Sequence, residues 1–177
     1  MADAPPTYFQ RLLAADRRWS NALRYAERPG PLRYAAIGLA HSGDSWFWGA
    51  GLALVWFWGA PEWKDLALRL FVGILGLAVV VLTIKRLIKR QRPAGEWGKL
   101  YRATDPHSFP SGHAARMALL LVLAAAWGPG WFAALLVAWA PLVALARVAM
   151  GVHYLSDVIG GALVGAAAAL LLVAAWP

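Results

Sequence analysis

The sequence predicts an all-α integral membrane protein, a bundle of about five transmembrane helices preceded by an amphipathic interfacial helix. Three observations carry that prediction. Hydrophobic residues make up 60% of the 177, against about 45–50% apolar residues in ordinary soluble domains. Several apolar runs approach the ~20 residues needed to cross a bilayer. The turns between those runs are short, so residues 1–177 read as one membrane-embedded domain, with an interfacial helix over 7–27 and the spanning bundle over 32–176. In lipid, backbone groups must be paired within the segment, which favours helices.

Taken in order, residues 7–27 place Phe9, Leu12, Leu13, Trp19, Leu23 and Ala26 near a helical period, with Arg11, Arg17, Arg18 and Arg24 on the other side. This fits a helix lying on the membrane surface, or one packed on the protein's own spans. Residues 32–60 are apolar except at His41-Ser42-Gly43-Asp44. They read either as one tilted helix with a polar notch or as a short interfacial piece before a span, Ser45 to Ala60, capped by Asp44. After a turn at Pro61–Asp65, a span from about Leu66 to Ile84 continues as a basic helix through Lys85, Arg86, Lys89 and Arg90, and Arg92-Pro93 stops it. Residues 94–110 read as a polar loop. Spans from about Ala114 to Trp127, Trp131 to Ala146 and Leu155 to Trp176 follow. Pro141 predicts a kink, and Gly161 and Gly165 give the last span a small-residue face for close helix contact.

The chain has no cysteine, which excludes disulfides, thiolate chemistry and Cys-based zinc sites. Residues 1–7 lack the apolar core of a cleaved signal peptide. The net charge of +8 suits anionic lipid headgroups or a phosphorylated substrate. The basic residues are interleaved with spans rather than gathered on a soluble face, which argues against nucleic acid as a partner.

Each hairpin reverses direction, so the loops at 92–112 and 147–154 fall on the same side of the membrane. That side collects Lys85 and Arg92, the Ser111-Gly112-His113 helix start, and Arg147, His153 and Asp157. A helix beginning at Pro110-Ser111-Gly112 offers unpaired N–H groups and a positive dipole end to an anion. His153 and Asp157 are spaced i, i+4, so the carboxylate can accept one ring N–H and leave the other nitrogen as a nucleophile. Cations, a helix start and two histidines suit phosphoryl transfer without a metal. The alternative is a protein that binds or transports a lipid phosphate without cleaving it. Arg116, one turn after His113, either touches substrate or snorkels. His41 and His107 read as structural residues, Asp105 and Glu96 as solvated loop charges, and Arg86, Lys89 and Arg90 mostly as a membrane anchor.

Lys85-x6-Arg92-Pro93, Pro110-Ser111-Gly112-His113 and Arg147-x5-His153-x3-Asp157 resemble the three signature motifs of the type 2 phosphatidic acid phosphatase superfamily. These membrane lipid phosphatases share their phosphate pocket with vanadium haloperoxidases. The resemblance covers about residues 44–175. It implies hydrolysis of a phosphomonoester or pyrophosphate on a membrane lipid, such as phosphatidic acid, phosphatidylglycerophosphate, or a polyprenyl diphosphate or phosphosugar. It implies that His153 attacks phosphorus with Asp157 orienting it, and that His113 protonates the leaving oxygen. Lys85, Arg92, Ser111, Gly112 and Arg147 would hold the phosphate. No metal or other cofactor is implied. The third motif usually begins Ser-Arg, whereas this chain has Ala146-Arg147, which predicts altered phosphate affinity rather than lost activity.

The expected partners are therefore a lipid phosphate and the bilayer, and the oligomeric state is open. The expected location is the cell membrane. Only Lys64 and Arg69 fall near the face away from the motifs, so the positive-inside rule directs the motif side to the cytoplasm.

Overall fold

The computed structural model describes residues 7–176, apart from the side chains of Leu100 and Arg102; residues 1–6 and 177, the ends of the expected domain, lie outside the described residues. Among the described residues eight α-helices follow one another: α1 (Tyr8–Ala22), α2 (Pro31–Ser42), α3 (Ser45–Trp58), α4 (Pro61–Ile88), α5 (Glu96–Arg102), α6 (Gly112–Trp127), α7 (Gly130–Ala149) and α8 (Leu155–Ala175). The all-α membrane fold is as the sequence predicts. Among the described residues, α4, α7 and α8 are long and apolar enough to cross a membrane, and α6 is apolar but shorter. At 14 and 16 residues, α3 and α6 extend only about 21 and 24 Å, less than the ~30 Å hydrocarbon core. Length alone therefore qualifies three of the five expected spans.

Of the two readings of residues 32–60, the structure adopts the broken one. The chain leaves α2 at Gly43 and enters α3 after Asp44. Gly43 is needed there, because a Cβ would lie 2.7 Å from Val143 Cγ1 and 3.1 Å from His113 Cδ2. Residues 94–110 differ from expectation, since α5 forms within the supposed loop. Arg33 of α2 pairs with Glu96 at 3.1 Å and lies 5.1 Å above the Trp97 ring, so an ion pair and a cation–π contact hold this short helix. Helix α7 continues through Pro141 as one element.

Helix α1 packs through a polar stripe rather than an apolar one. Ser20 Oγ accepts from Leu155 N at 2.8 Å, and Asp16 Oδ1 accepts from Ser156 N at 3.0 Å. These carboxylate and hydroxyl oxygens satisfy N–H groups that open α8. Tyr8, Phe9, Leu12 and Trp19 are left exposed.

The main core joins α3, α4, α6, α7 and α8 through residues such as Leu70, Leu77, Leu120, Leu123, Leu136 and Val143. Its tightest seam lies between α6 and α8. A Cβ on Gly165 would fall inside the radius of the Ala115 carbonyl, and one on Gly161 would collide with the Ser111 backbone. The small-residue face read from the sequence does bring two helix backbones together. Gly165→Ala should force them apart and destabilise the fold by about 1–3 kcal/mol, seen as a lower thermal midpoint in detergent. An unchanged midpoint would contradict this contact.

Candidate active site

Three chain reversals build the site. Helix α4 stops at Ile88 rather than continuing to Arg90, because Lys89 takes a left-handed conformation at φ 51° and turns the chain. Lys85 thus sits in the last turn of α4, and Arg92 returns beside it from the following loop. The second reversal is the start of α6 at Ser111. The third links α7 to α8, with Arg147 in the last turn of α7 and His153 in the turn beyond. Gly151 makes that turn at φ +65°, a conformation that L side chains rarely adopt.

These reversals bring Lys85, Arg92, Arg147, His153 and Asp157 together, each no more than 5% exposed. A cavity of about 300 Å³ opens beside them. Lys85, Arg92, Gly112, His113, Arg116, Arg147 and His153 line its polar end, while Ile74, Leu77, Val81 and Leu82 of α4 form an apolar wall. The hairpin reasoning from sequence therefore placed the motifs on one surface correctly.

Burying several cations together is costly unless anions or acceptors offset them, and here the offsetting groups come from the 94–110 segment. Asp105, expected to be a solvated loop charge, accepts through Oδ2 from Lys85 Nζ and from Arg92 Nη2, the latter at 2.7 Å. Its backbone carbonyl accepts from Arg92 Nε at 2.7 Å. Tyr101 of α5 lies beneath the Arg92 and Arg147 guanidiniums at 5.4 and 4.7 Å, and its hydroxyl accepts from Arg147 Nη1 at 3.1 Å. The Arg147 Nε group is buried without a hydrogen-bond partner. Only the run of polar residues before Pro110 hinted at this loop's return.

His153 Nε2 lies 3.2 Å from Arg92 Nη1. The guanidinium is a donor, so Nε2 is the acceptor and the ring proton is on Nδ1. Nδ1 faces Asp157 Oδ2 at 3.6 Å, beyond hydrogen-bond range. The i, i+4 pair is thus aligned but open, and Nε2 is engaged rather than free. Asp157 is held from elsewhere: Oδ2 accepts from Tyr154 N at 2.8 Å and Oδ1 from Arg90 Nη1 at 2.7 Å. Arg90 also donates to Asp16 Oδ2 at 2.6 Å, so it is an internal bridge and not the membrane anchor expected. Burial, with the Arg92, Arg147 and Lys85 charges close by, pushes the His153 imidazole well below its ordinary pKa.

Ser111 is wholly buried and does not line the cavity. Its hydroxyl accepts from Ala114 N at 3.5 Å as the α6 cap, and its N–H donates to the Asp157 carbonyl at 2.9 Å. The capping bond uses only a lone pair of the hydroxyl and leaves its O–H to donate. Gly112 does line the cavity. Ala146 packs among Ala36, Ala40 and Met150, away from the cavity lining. Arg116 reaches back to Gly43 O and Ser45 Oγ.

His113 Nε2 donates to Asp44 Oδ1 at 2.7 Å, while Asp44 Oδ2 contacts His41 Nδ1 at 2.8 Å. Burial alone would raise the Asp44 carboxyl; the hydrogen bonds from His113 and His41 outweigh it and hold the group below the usual carboxylate range.

The PAP2 superfamily's sequence profile matches residues 66–177. The chain belongs to the PAP2 superfamily. It is 35% identical over 142 residues to the decaprenylphosphoryl-5-phosphoribose phosphatase of Mycobacterium tuberculosis, covering 79% of this chain and 77% of that one. It is 29% identical over 126 residues to the Escherichia coli protein YbjG, assigned as an undecaprenyl-diphosphatase; the match covers 70% of this chain but only 63% of YbjG. The crystal structure of a PAP2-type phosphatidylglycerolphosphate phosphatase from Bacillus subtilis superposes with a TM-score of 0.70 at 24% identity, over 93% of this chain and 86% of that one. LpxE from Aquifex aeolicus gives 0.69 at 24% identity, over 92% and 94%. At that identity the two structures speak for the PAP2 fold.

The depressed pKa of His153 sets an expected outcome. A group shifted downward stays neutral at pH values where an ordinary histidine, near 6.5, becomes charged. In nitrogen-15 NMR of the detergent-solubilised PAP2 protein, the His153 ring should keep the neutral, Nδ1-protonated pattern at pH 6.5, where an ordinary histidine is half charged. A midpoint near pH 6.5 would contradict it.

Proposed function

We propose that this protein is a metal-independent lipid phosphatase that works through a phosphohistidine. The observation that carries the proposal is the meeting of Lys85, Arg92, Arg147 and the Gly112 helix start around one cavity with a buried histidine, His153. In this mechanism the substrate phosphate takes the place of the Asp105 carboxylate on Lys85 and Arg92, and its other oxygens meet Arg147 and the Gly112 N–H. Moving Arg92 onto the phosphate frees His153 Nε2, which attacks phosphorus in line with the ester oxygen. Asp157 accepts the Nδ1 proton's hydrogen bond as the ring gains charge, closing the 3.6 Å gap. His113 gives a proton to the departing oxygen, and water then hydrolyses the phosphohistidine. Ser111 acts by capping and holding the turn. The buried cations supply the charge stabilisation that a metal supplies elsewhere.

The phosphate end of the cavity leaves a choice of lipid. The 35% identity to a polyprenyl-phosphoribose phosphatase supports a polyprenyl-linked substrate, a phosphosugar phosphomonoester ahead of a diphosphate. The apolar wall on α4 would receive the lipid chain. Five crossings, with α3 and α6 as the two short ones and α1 on the interface, would put this site at the cytoplasmic face of the cell membrane, given the arginines of α1.

Phosphate release from a panel of phosphatidic acid, phosphatidylglycerophosphate, polyprenyl diphosphate and polyprenyl-phosphosugar in detergent should persist with chelator present. His153→Ala should lower turnover by at least about 1,000-fold, comparable to losing a covalent nucleophile. Lipid binding with no phosphate release by the native protein would instead favour the binding or transport reading.

Sidedness has its own test, since the native chain has no cysteine. Arg28→Cys and Glu62→Cys place exposed thiols at opposite ends of the bundle. In intact cells an impermeant maleimide should label the second and spare the first. The reverse pattern would turn the site outward.

A further inference from the structure

We propose that Asp44 is the positioning residue of His113, forming a second histidine–carboxylate pair opposite His153 and Asp157. The inference rests on the phosphatase reading above and assigns a role to a residue outside the three motifs. Asp44 stands at the N-cap position of α3, where an aspartate ordinarily accepts from the helix's own N–H groups, yet its side chain makes no capping bond. Both oxygens are turned elsewhere. Oδ1 takes His113 Nε2 at 2.7 Å, and Oδ2 takes His41 Nδ1 at 2.8 Å and Trp46 Nε1 at 3.0 Å.

The backbone on either side is fixed to hold that orientation. Arg116 donates to the Gly43 carbonyl and to Ser45 Oγ, one residue before and one after Asp44. Gly43 has no Cβ where one would press on the His113 ring and Val143. The α2–α3 turn is thereby clamped to the helix that carries His113.

With Nε2 committed to Asp44, Nδ1 is the ring nitrogen left for the cavity that His113 lines. The step then balances. As His153 Nε2 bonds to phosphorus, the electron pair of the P–O bond goes to the ester oxygen, which takes the proton from His113 Nδ1. His113 is left neutral with Nε2–H still donated to the Asp44 carboxylate. Before that step the carboxylate stabilises the charged, proton-donating ring against Arg116 on its own helix, Arg147 of α7 and His153 across the cavity. His41 stands on the far side of Asp44, half exposed at 53%.

The test exploits leaving-group demand. A lipid alcohol needs the proton, whereas 4-nitrophenolate leaves without one. With full-length protein in detergent, Asp44→Asn should lower kcat/KM for phosphatidic acid by about 100-fold or more and for 4-nitrophenyl phosphate by less than about 10-fold. The basic limb of the phosphatidic acid profile should move about one unit to lower pH, because the charged ring has lost its counter-ion. Asp44→Glu should recover part of the lipid rate. Asp44→Ser is read the same way should the amide variant fail to fold. Equal losses on both substrates, or no loss on the lipid, would overturn the assignment. A native protein that releases phosphate neither from 4-nitrophenyl phosphate nor from any of the four panel lipids would overturn the phosphatase reading itself.

Discussion

The architecture depends on a backbone contact between α6 and α8. Gly161 and Gly165 let α8 approach until its glycines rest on the carbonyls of Ser111 and Ala115. At that distance Ser111 N–H reaches the Asp157 carbonyl at 2.9 Å. The start of α6 and the start of α8 are thereby joined, which sets the His113 turn against the His153 turn. Side-chain chemistry in this region presupposes that seam. Lipid gives helices little hydrophobic reason to associate, so close packing by small residues carries the association instead.

Around the seam, the protein handles its buried charges by giving each a partner from a distant segment. Asp105 returns from the α5 region to Lys85 and Arg92, Asp16 comes from α1 to Arg90, and Asp44 comes from the α2–α3 turn to His113. Cations gathered without these carboxylates would repel one another in a medium of low dielectric. The N-terminal helix, whose outer residues are apolar and basic, is thus tied through Asp16 and Arg90 to the carboxylate behind His153. Its inner face is polar because it has α8's opening N–H groups to satisfy.

The sequence made the all-α membrane fold and the gathering of the motifs legible, because hydropathy and hairpin parity can be read without a fold, although length qualifies only three of the five expected spans. Lys85, Arg92, His113, Arg147 and His153 were readable because each stands at or just beyond a chain reversal on the motif side. The acidic partners were not. Nothing near Asp105, Asp16 or Asp44 in the chain indicates a partner on a distant segment; Asp105 looks like a solvated loop charge and Asp44 like a helix cap. Arg90 was misread because basic residues after an apolar span usually meet headgroups, whereas the left-handed Lys89 turns this one inward. The resemblance makes Ser111 a phosphate contact, and in the fold its hydroxyl also caps α6.

The cavity joins a cationic end to an apolar wall on α4, and that union bears on how a turnover would finish. Under the proposed reaction the two products have opposite solubilities. The dephosphorylated lipid has lost the group that tied it to the cations and is free to drift into the hydrocarbon phase. Inorganic phosphate is soluble only in water. Two products that depart into different phases do not readily meet again in the cavity, so neither has to wait for the other to leave.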